Sequence, residues 1–460
     1  MKFRYKRFKG LLTEKGMSGE VWIELDDKGR IVETHNEKPR DGAIEYIEGY
    51  AIPGFQNAHS HAFQYAMAGL AEIHSTSQTP DDFWSWREAM YNIALGINPE
   101  QMEAIATMLY SEMVRHGYTS VAEFHYVHHD KNGEHYGNLA EMGERLINAA
   151  KTAGIKITLV PMFYKNGGFG KAATEGQRRF LSKSVDEYQK LLEATEQVAK
   201  NHAHANVGFG FHSLRAVDKD AIQNALQFAG EKPIHIHIAE QLKEIEDSIA
   251  FSGKRPVEWL YENADVNESW HLVHATHLSD TELSLIAKSK ANAVLCPTTE
   301  GNLGDGIFRL REFIAQNGNW SIGTDSHIGI DPKEELRVLD YGQRLISHKR
   351  NSFYTQENGD SGLFGYKEAL ISGRKAMGNN NAEYFKKGEL FDAVILDANY
   401  PLIATSSLKK VMSTYIYSGD ATANLGTMVN GEWMVKFNHH NEVIDIRRRF
   451  AETLKEMAIR

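Results

Sequence analysis

Two histidines, His59 and His61, follow a short apolar run in the segment AIPGFQNAHSHAFQ. Side chains two positions apart on a β-strand project from the same face, so the two imidazoles can lie side by side at a strand end. Neutral imidazole is a common ligand of divalent metal ions. The pair alone is a weak signal, because the same spacing occurs among ordinary surface histidines. It becomes informative only if other ligands meet it in space.

Two further apolar runs end in residues that could complete such a site. In PIHIHIAE, His237 follows His235 by two positions, so both face one way and His237 lies nearer the strand end. Asp325 follows SIGT, where a carboxylate would be an expensive buried charge unless it were paired; the alternative is a helix N-cap. Three imidazoles and one carboxylate suit a catalytic zinc ion with a position left open for water. The histidine pair, His237 and Asp325 are therefore the candidate ligands.

Two other ionisable residues could move protons beside this metal. His274 in LVHATH is a natural partner for Asp325, because imidazole changes charge near neutral pH. Glu240 lies three residues after His237, just past the expected strand, where it could reach a substrate without binding the metal. These residue types predict hydrolytic chemistry that combines a metal with general acid–base catalysis.

The elements that must position these residues are read from eight apolar runs that alternate with helical stretches. Continuous apolar strands separated by helices are typical of a parallel sheet, and eight of them predict a (β/α)8 barrel, a TIM-like α/β fold. The active site of such a barrel gathers at the C-terminal ends of its strands, which is where the candidate residues fall. The runs are the one before His59 and VAEFHY, IKITLVPMF, VGFGFHS, PIHIHIAE, WHLVHAT, NAVLCPT and WSIGTDS.

Both ends of the chain carry a different pattern, with period-two alternation and Gly or Asp turns. Examples are VWIEL and IVET near the start, and FDAVILD, VMSTYIYSG and MVNGEWMVK near the end. These patterns are typical of short strands. We therefore predict a composite β-sandwich domain built from residues 1–52 and 388–460, and a metal-dependent barrel domain over residues 53–387.

Composition narrows the class of partner. The net charge of −10, from 51 basic and 61 acidic residues, disfavours binding to nucleic acid or to an anionic membrane. Cys296 is the single cysteine, so an internal disulfide is ruled out and a reducing, cytoplasmic location is expected. The basic N-terminus has no sustained apolar core typical of a signal peptide. No apolar run approaches the roughly 20 residues that span a bilayer.

The motifs HSH, HIHIAE, LVHATH and GTDSH resemble the amidohydrolase superfamily, in its branch of mononuclear-metal deaminases. Longer segments narrow the resemblance to the members that act on N-formimidoyl-L-glutamate. It runs from about residue 50 to about residue 350 and continues loosely to the C-terminus. The segments FHYVHHD and HSLRAV are more specific than the metal motifs, which many deaminases and chlorohydrolases share. The other matching segments include NAHSHAFQYAMAGLAE, WREAMY and TEGNLGDGIF.

The resemblance assigns roles residue by residue. It implies one zinc ion per chain, with the ligands His59, His61, His237 and Asp325. It implies proton transfer by Glu240, His274 and Asp325. It implies that the substrate is held by Gln64, Arg87, Tyr126, His212 and Arg215. Family habit also implies a homodimer.

The implied reaction is zinc-dependent hydrolytic deimination of N-formimidoyl-L-glutamate to N-formyl-L-glutamate and ammonia, in histidine degradation. This small anionic substrate has two carboxylates, and arginine pairs with carboxylates through two parallel hydrogen bonds. Arg87 and Arg215 are the candidates for that pairing; the alternatives are an arginine lying along aromatic residues and a surface loop charge. Whether His274 or Glu240 delivers the final proton stays open.

Two other functions compete with this interpretation. A deaminase of a heterocyclic base, or of another guanidino or amidine compound, could use the same metal core. It would need aromatic stacking residues and amide groups in its pocket, not paired arginines. A non-catalytic barrel with a structural zinc ion is the alternative outside the enzymes, but a closed four-ligand site would not need Glu240 and His274.

Overall fold

The computed structural model of the protein describes residues 4–72, 83–350, 352–354 and 359–458. Within these ranges, eight successive strands form a parallel sheet in sequence order, each hydrogen-bonded to the next, which confirms the predicted barrel architecture. These strands are β1 (Phe55–Ser60), β2 (Tyr118–His125), β3 (Lys156–Phe163), β4 (Phe209–Ser213), β5 (Ile234–Ile238), β6 (Trp270–His274), β7 (Asn292–Leu295) and β8 (Asn319–Ile322). A short strand, Ala205–Val207, pairs with the start of β3 before β4 begins.

The end of β1 and the segment after β8 close the barrel. The backbone N–H groups of Thr324 and Asp325 both donate to the carbonyl oxygen of His59, at 3.1 Å, and His61 N–H donates to Asp325 at 3.2 Å. Gly323 permits this close approach, because a Cβ atom there would lie 2.7 Å from Cβ of His59 and 2.9 Å from its backbone nitrogen. The closure therefore brings the HSH and GTDSH motifs together.

Helices follow or connect the barrel strands, as the alternating pattern predicts. The α-helices of the middle of the chain are Phe83–Gly96, Pro99–His116, Glu141–Ala153, Val185–Ala199, Lys219–Leu226, Leu242–Ser252, Pro256–Asn263, Asp280–Ser289, Pro297–Leu303, Leu310–Ala315, Pro332–Ser347 and Ser361–Ala376. Short 3-10 turns span Ala62–Met67 and Glu175–Gln177. In the described part of the chain, no helix has both the length and the apolar character needed to cross a membrane.

Strands from both ends of the chain form two further sheets. One sheet contains Tyr5–Phe8, Val21–Leu25, Ile31–His35 and Ile44–Tyr46. The other contains Gly10–Thr13, Gly16–Met17, Gly49–Pro53, Ala393–Asp397, Asn424–Val429, Glu432–Lys436 and His439–His440. A separate apolar cluster that includes Phe8, Ile23, Phe391 and Ile395 lies within this region. The division into domains at residues 52 and 387 stays a prediction.

Two parts of the C-terminal region differ from the strand pattern expected there. The segment VMSTYIYSG is not a strand; it contains the helix Val411–Ser418. Its buried side chains include Val411, Met412, Tyr415 and Ile416, a spacing that places them on one side of a helix. The chain then ends in the amphipathic helix Val443–Glu456, and shorter helical turns span Pro401–Ala404, Leu408–Lys410 and Ala421–Ala423.

Candidate active site

Four side chains that are distant in sequence meet at the C-terminal end of the barrel. The Nε2 atom of His237 in β5 lies 3.1 Å from that of His59 in β1 and 3.3 Å from that of His61. Oδ1 of Asp325, just after β8, lies 3.4 Å from Nε2 of both His59 and His61. Ligand atoms about 2.0–2.1 Å from a tetrahedral zinc ion are about 3.3 Å apart. The three histidine nitrogens therefore lie close enough to share one ion, and Asp325 lies at ligand spacing from two of them.

The hydrogen bonds of two of these histidines explain why they would bind a cation. Nδ1 of His61 lies 2.8 Å from the carbonyl oxygen of Phe124, and Nδ1 of His237 lies 3.0 Å from that of His212. A carbonyl only accepts, so both Nδ1 atoms donate, and Nε2 of a neutral ring is then an acceptor. Burial lowers the pKa of both rings, which favours the neutral form. Two lone pairs thus face each other across 3.3 Å, an arrangement that a bound cation would stabilise.

His274 lies among three carboxyl groups. Its Nε2 atom is 3.7 Å from Oε1 of Glu240 and 3.9 Å from Oδ2 of Asp325. Its Nδ1 atom is 3.3 Å from Oε1 of Glu300. Burial acts to lower the pKa of His274, but the carboxylates outweigh it and raise that pKa to about 10. Burial also raises the pKa of Glu240. A charged imidazole beside a carboxyl group of raised pKa is suited to proton transfer.

The backbone at this end of the barrel adopts an uncommon conformation. His274 has φ 69°, Asp325 has φ 47° and Ala239, which precedes Glu240, has φ 54°. A non-glycine residue pays roughly 1–2 kcal/mol for this left-handed region. Such residues cluster at functional sites, where the surrounding structure holds them in place. The conformation redirects the chain directly at the candidate catalytic side chains.

These groups line one cavity at the C-terminal end of the barrel. All five residues expected to hold the substrate line it, as do His61, His237, Glu240, His274 and Asp325. The five are Gln64, Arg87, Tyr126, His212 and Arg215. The fold therefore brings the expected residues together, while the role of each stays a prediction.

The two arginines enter the cavity from different elements. Arg215 follows β4, and its guanidinium lies 3.9 Å from both Glu240 and Glu244. Its Nη1 atom is buried and has no hydrogen bond among the described residues, although it is the atom that lies 3.9 Å from Glu244. Arg87 belongs to the helix Phe83–Gly96, with its guanidinium carbon 4.9 Å above the ring of Tyr91. Positive charge is thus present on two sides of the cavity.

Several residues of the site were not among the candidates predicted from the sequence. Trp86, Tyr91, Tyr164 and Phe180 line the cavity, and Glu300 contacts His274. Tyr164 directly follows β3, so its position at a strand end was the one available signal. Glu300 lies in TEGNLGDGIF, one of the segments that resemble the family. That segment has no pair of residues at the spacing of metal ligands.

A buried glutamate forms hydrogen bonds to the segment after β1 that carries the candidate ligand His61. Glu123 in β2 accepts hydrogen bonds from the hydroxyl of Ser60 and the backbone N–H of Ala62, both at 2.6 Å. These two residues flank His61. Burial raises the pKa of Glu123 to about 7. The position of the histidine pair therefore depends on β2 as well as on β1.

Comparison with known proteins agrees with this geometry. The amidohydrolase family matches residues 50–434 of the chain. Formimidoylglutamate deiminase of Pseudomonas aeruginosa is 42% identical over 448 residues, which cover 97% of this chain and 98% of that enzyme. The crystal structure of an amidohydrolase from Brucella melitensis has a TM-score of 0.92 and 41% identity, and covers 99% of this chain and 100% of its own.

A more distant structure shares the fold alone. An adenosine deaminase from Xanthomonas campestris with bound zinc has a TM-score of 0.80 at 18% identity, covering 99% of this chain and 98% of its own. The likeness thus extends from the barrel to the sheets of both termini. The family match covers most of the chain, and the relative from Pseudomonas aeruginosa is 42% identical over nearly the full length of both proteins. The chain therefore belongs to the amidohydrolase family.

Proposed function

We propose that the protein hydrolyses N-formimidoyl-L-glutamate to N-formyl-L-glutamate and ammonia, as a step of histidine degradation. The main observation behind the proposal is that one cavity is lined by candidate metal ligands, by Glu240 and His274, and by two arginines. The nearly full-length similarity to formimidoylglutamate deiminase supports the same substrate.

The proposed cofactor is one zinc ion per chain. The ligands would be His59, His61, His237 and Asp325, whose atoms have the required spacing. Bound there, zinc would supply a hydroxide nucleophile at neutral pH. Similarity to a structure with bound zinc supports this choice of metal.

The chain's own residues carry the protons. In the reaction, a C–O bond forms at the formimidoyl carbon and the bond to its terminal nitrogen breaks. Asp325 accepts the proton that water loses, and the charged imidazole of His274 lies 3.9 Å from its carboxylate. Glu240 lies 3.7 Å from His274 and lines the cavity, so it can donate one proton to the terminal nitrogen. The proton held by Asp325 supplies the second, and the adduct hydroxyl returns its proton to Glu240 as the carbonyl forms and ammonia leaves.

Arg87 and Arg215 bind the two carboxylates, and Gln64, Tyr126 and His212 add hydrogen bonds. Gln64 and Tyr126 are already joined by a hydrogen bond of 3.1 Å, which fixes their relative position. His212 packs between the rings of Tyr164, at 4.5 Å, and His237, at 5.2 Å. The substrate would thus lie between the ligand cluster and the helix that carries Arg87.

The direct test is to incubate the purified, zinc-loaded protein with N-formimidoyl-L-glutamate and to measure ammonia and N-formyl-L-glutamate together. Equal amounts of both products are expected, and the metal-stripped protein should form neither. Ammonia release without N-formyl-L-glutamate, or no turnover by the zinc-loaded protein, would contradict the proposal.

A ring deaminase remains the second candidate, because aromatic residues do line the cavity: Trp86, Tyr91, Tyr126, Tyr164 and Phe180. The two guanidinium groups that line the same cavity, those of Arg87 and Arg215, favour the dicarboxylate instead. Adenosine and guanine are therefore the comparison substrates. Turnover of either at the rate found for the formimidoyl compound would favour the second candidate.

We further propose that the protein works in the cytoplasm as a homodimer. The single cysteine, Cys296, is buried and free, which suits a reducing compartment. Sedimentation should give twice the chain mass of 51.9 kDa. A monomeric mass at micromolar concentration would contradict the dimer.

A further inference from the structure

Two tyrosines lie beside Arg87 in the cavity and have no assigned role in the reaction. Tyr91 belongs to the same helix as Arg87, and Tyr164 follows β3 and is buried. Both line the cavity together with Arg87 and Arg215. Each hydroxyl oxygen receives a hydrogen bond from a different side chain, Arg87 for Tyr91 and Gln177 for Tyr164. The direction of the hydrogen bonds around this pair determines what it can offer a ligand.

The hydroxyl oxygen of Tyr164 is an acceptor. The Nε2 atom of Gln177 lies 2.7 Å from it. The orientation of this amide is fixed, because its Oε1 atom accepts from the backbone N–H of Thr174 at 2.8 Å. Nε2 must therefore be the atom that faces Tyr164, and it can only donate. The hydroxyl hydrogen of Tyr164 consequently points away from Gln177.

The hydroxyl oxygen of Tyr91 is an acceptor for the same reason. Nη2 of Arg87 donates to it, and a guanidinium has no acceptor. A hydroxyl group that accepts still has its own hydrogen to donate. Both tyrosines line the cavity, so each can donate to an acceptor there, next to the guanidinium of Arg87.

We propose that Arg87, Tyr91 and Tyr164 form a carboxylate subsite, in which the tyrosine hydroxyls select a substrate with a second carboxylate. The inference rests on the proposed function and extends it, because it makes these tyrosines specificity-determining residues. A carboxylate accepts readily from both a guanidinium and a hydroxyl. Gln177 acts as a positioning residue, because its donation to the oxygen of Tyr164 turns the hydroxyl hydrogen of Tyr164 away from it.

The test compares Tyr91→Phe and Tyr164→Phe on three substrates in the zinc-loaded protein. These are N-formimidoyl-L-glutamate, 4-(formimidoylamino)butanoate, which lacks the α-carboxylate, and 2-(formimidoylamino)butanoate, which lacks the distal one. Removing a hydrogen bond to a charged group should raise KM for the full substrate about 10-fold with little change in kcat. Tyr261→Phe is the matched control, since its hydroxyl bonds Ser289 at 2.7 Å outside the cavity lining.

One of the two shortened substrates should lose efficiency as the full substrate does, and the other should be insensitive to both variants. The insensitive one lacks the carboxylate that the subsite binds. Equal losses on all three substrates would overturn the inference, because the tyrosines would then support the site in general. No loss on any substrate would overturn it as well.

A binding measurement separates this inference from the proposed function. Glutarate, a plain dicarboxylate, should bind the zinc-loaded protein in calorimetry, and each tyrosine variant should weaken that binding about 10-fold. If the wild-type protein does not turn over N-formimidoyl-L-glutamate, the proposed function fails, while weakened glutarate binding still supports the subsite. Glutarate binding that is absent, or unchanged in both variants, would overturn the subsite.

Discussion

At the scale of single residues, the site divides into groups that would hold a metal and groups that would carry protons. His237 is central to the first group, because its Nε2 atom is close to both His59 and His61. Glu240 is three residues further along the chain but faces His274 and Arg215 instead. Substitutions at these two positions should therefore have different effects.

His237→Ala should remove most of the bound zinc together with the activity, because one of four ligands is lost. Metal analysis of the wild-type protein should find about one zinc per chain. The exposed His439→Ala is the control and should retain both metal and activity. Full activity in a protein stripped of all metal would show that the ligand assignment is wrong.

Glu240→Gln should keep its zinc and lose activity, because the amide preserves the shape but carries no exchangeable acidic proton. General acid–base catalysis is typically worth about 10²–10⁴-fold, so kcat should fall by that order. The measurement is kcat and zinc content in one preparation, with the exposed Glu246→Gln as control. Loss of zinc would make Glu240 a ligand or a structural support, and unchanged kcat would remove it from the mechanism.

Arg215→Met and Arg87→Met should each lower kcat/KM for N-formimidoyl-L-glutamate by the equivalent of about 2–5 kcal/mol, because a carboxylate would be left unpaired in the cavity. Zinc content should stay the same in both. Arg448, which is exposed on the C-terminal helix, supplies the control substitution. If both variants keep nearly wild-type efficiency, the substrate assignment is wrong even where the metal assignment stands.

At the scale of elements, the end of β1, which carries the candidate ligands His59 and His61, is hydrogen-bonded to the residues after β8 and to β2. The residues after β8 bond its backbone, and Glu123 in β2 bonds Ser60 and Ala62. Mutation of a group that hydrogen-bonds to a metal ligand and orients it typically lowers metal affinity about 10–100-fold. A neighbouring strand would thus contribute to metal binding without supplying a ligand.

Glu123→Gln should therefore weaken zinc binding by roughly 10-fold, since the amide can accept from only one of the two donors. Competition with a chelator of known affinity measures the dissociation constant directly. Glu134→Gln, at an exposed position of the loop after β2, should leave it unchanged. Wild-type zinc affinity in the Glu123 variant would show that the two hydrogen bonds do not position His61.

At the scale of the whole molecule, the proposed ion would tie together the first, fifth and last strands of the barrel. A ligand that binds only the folded state adds stability, about 2.7 kcal/mol at 100 times its dissociation constant. Removal of zinc should therefore lower the thermal midpoint of unfolding by several degrees. Scanning calorimetry with and without chelator measures this change, and the His237→Ala variant should show almost none. An unchanged midpoint in the wild-type protein would contradict a metal site that spans these strands.

The strands and the candidate ligands could be predicted from the sequence because their signals are local. An apolar run of five to eight residues and the two-residue period of a strand are visible in the sequence itself, and strand ends in a barrel share one rim. Residues such as His59, His237 and Asp325 are therefore recognisable before their distances are known. The same local signals misled in VMSTYIYSG, since a short apolar segment suits a strand or a buried helix equally well, and packing decided for the helix Val411–Ser418.

Only the tertiary structure shows which other side chains contact the candidate ligands and line the cavity. Glu123, Tyr164, Gln177 and Glu300 were not among the candidates, because each acts through contacts with residues from other parts of the chain. Barrel closure and the packing of connecting segments set those contacts. Their geometry, including the direction of each hydrogen bond, depends on how all strands and loops pack at once. It is therefore a property of the folded chain that no local stretch of sequence contains.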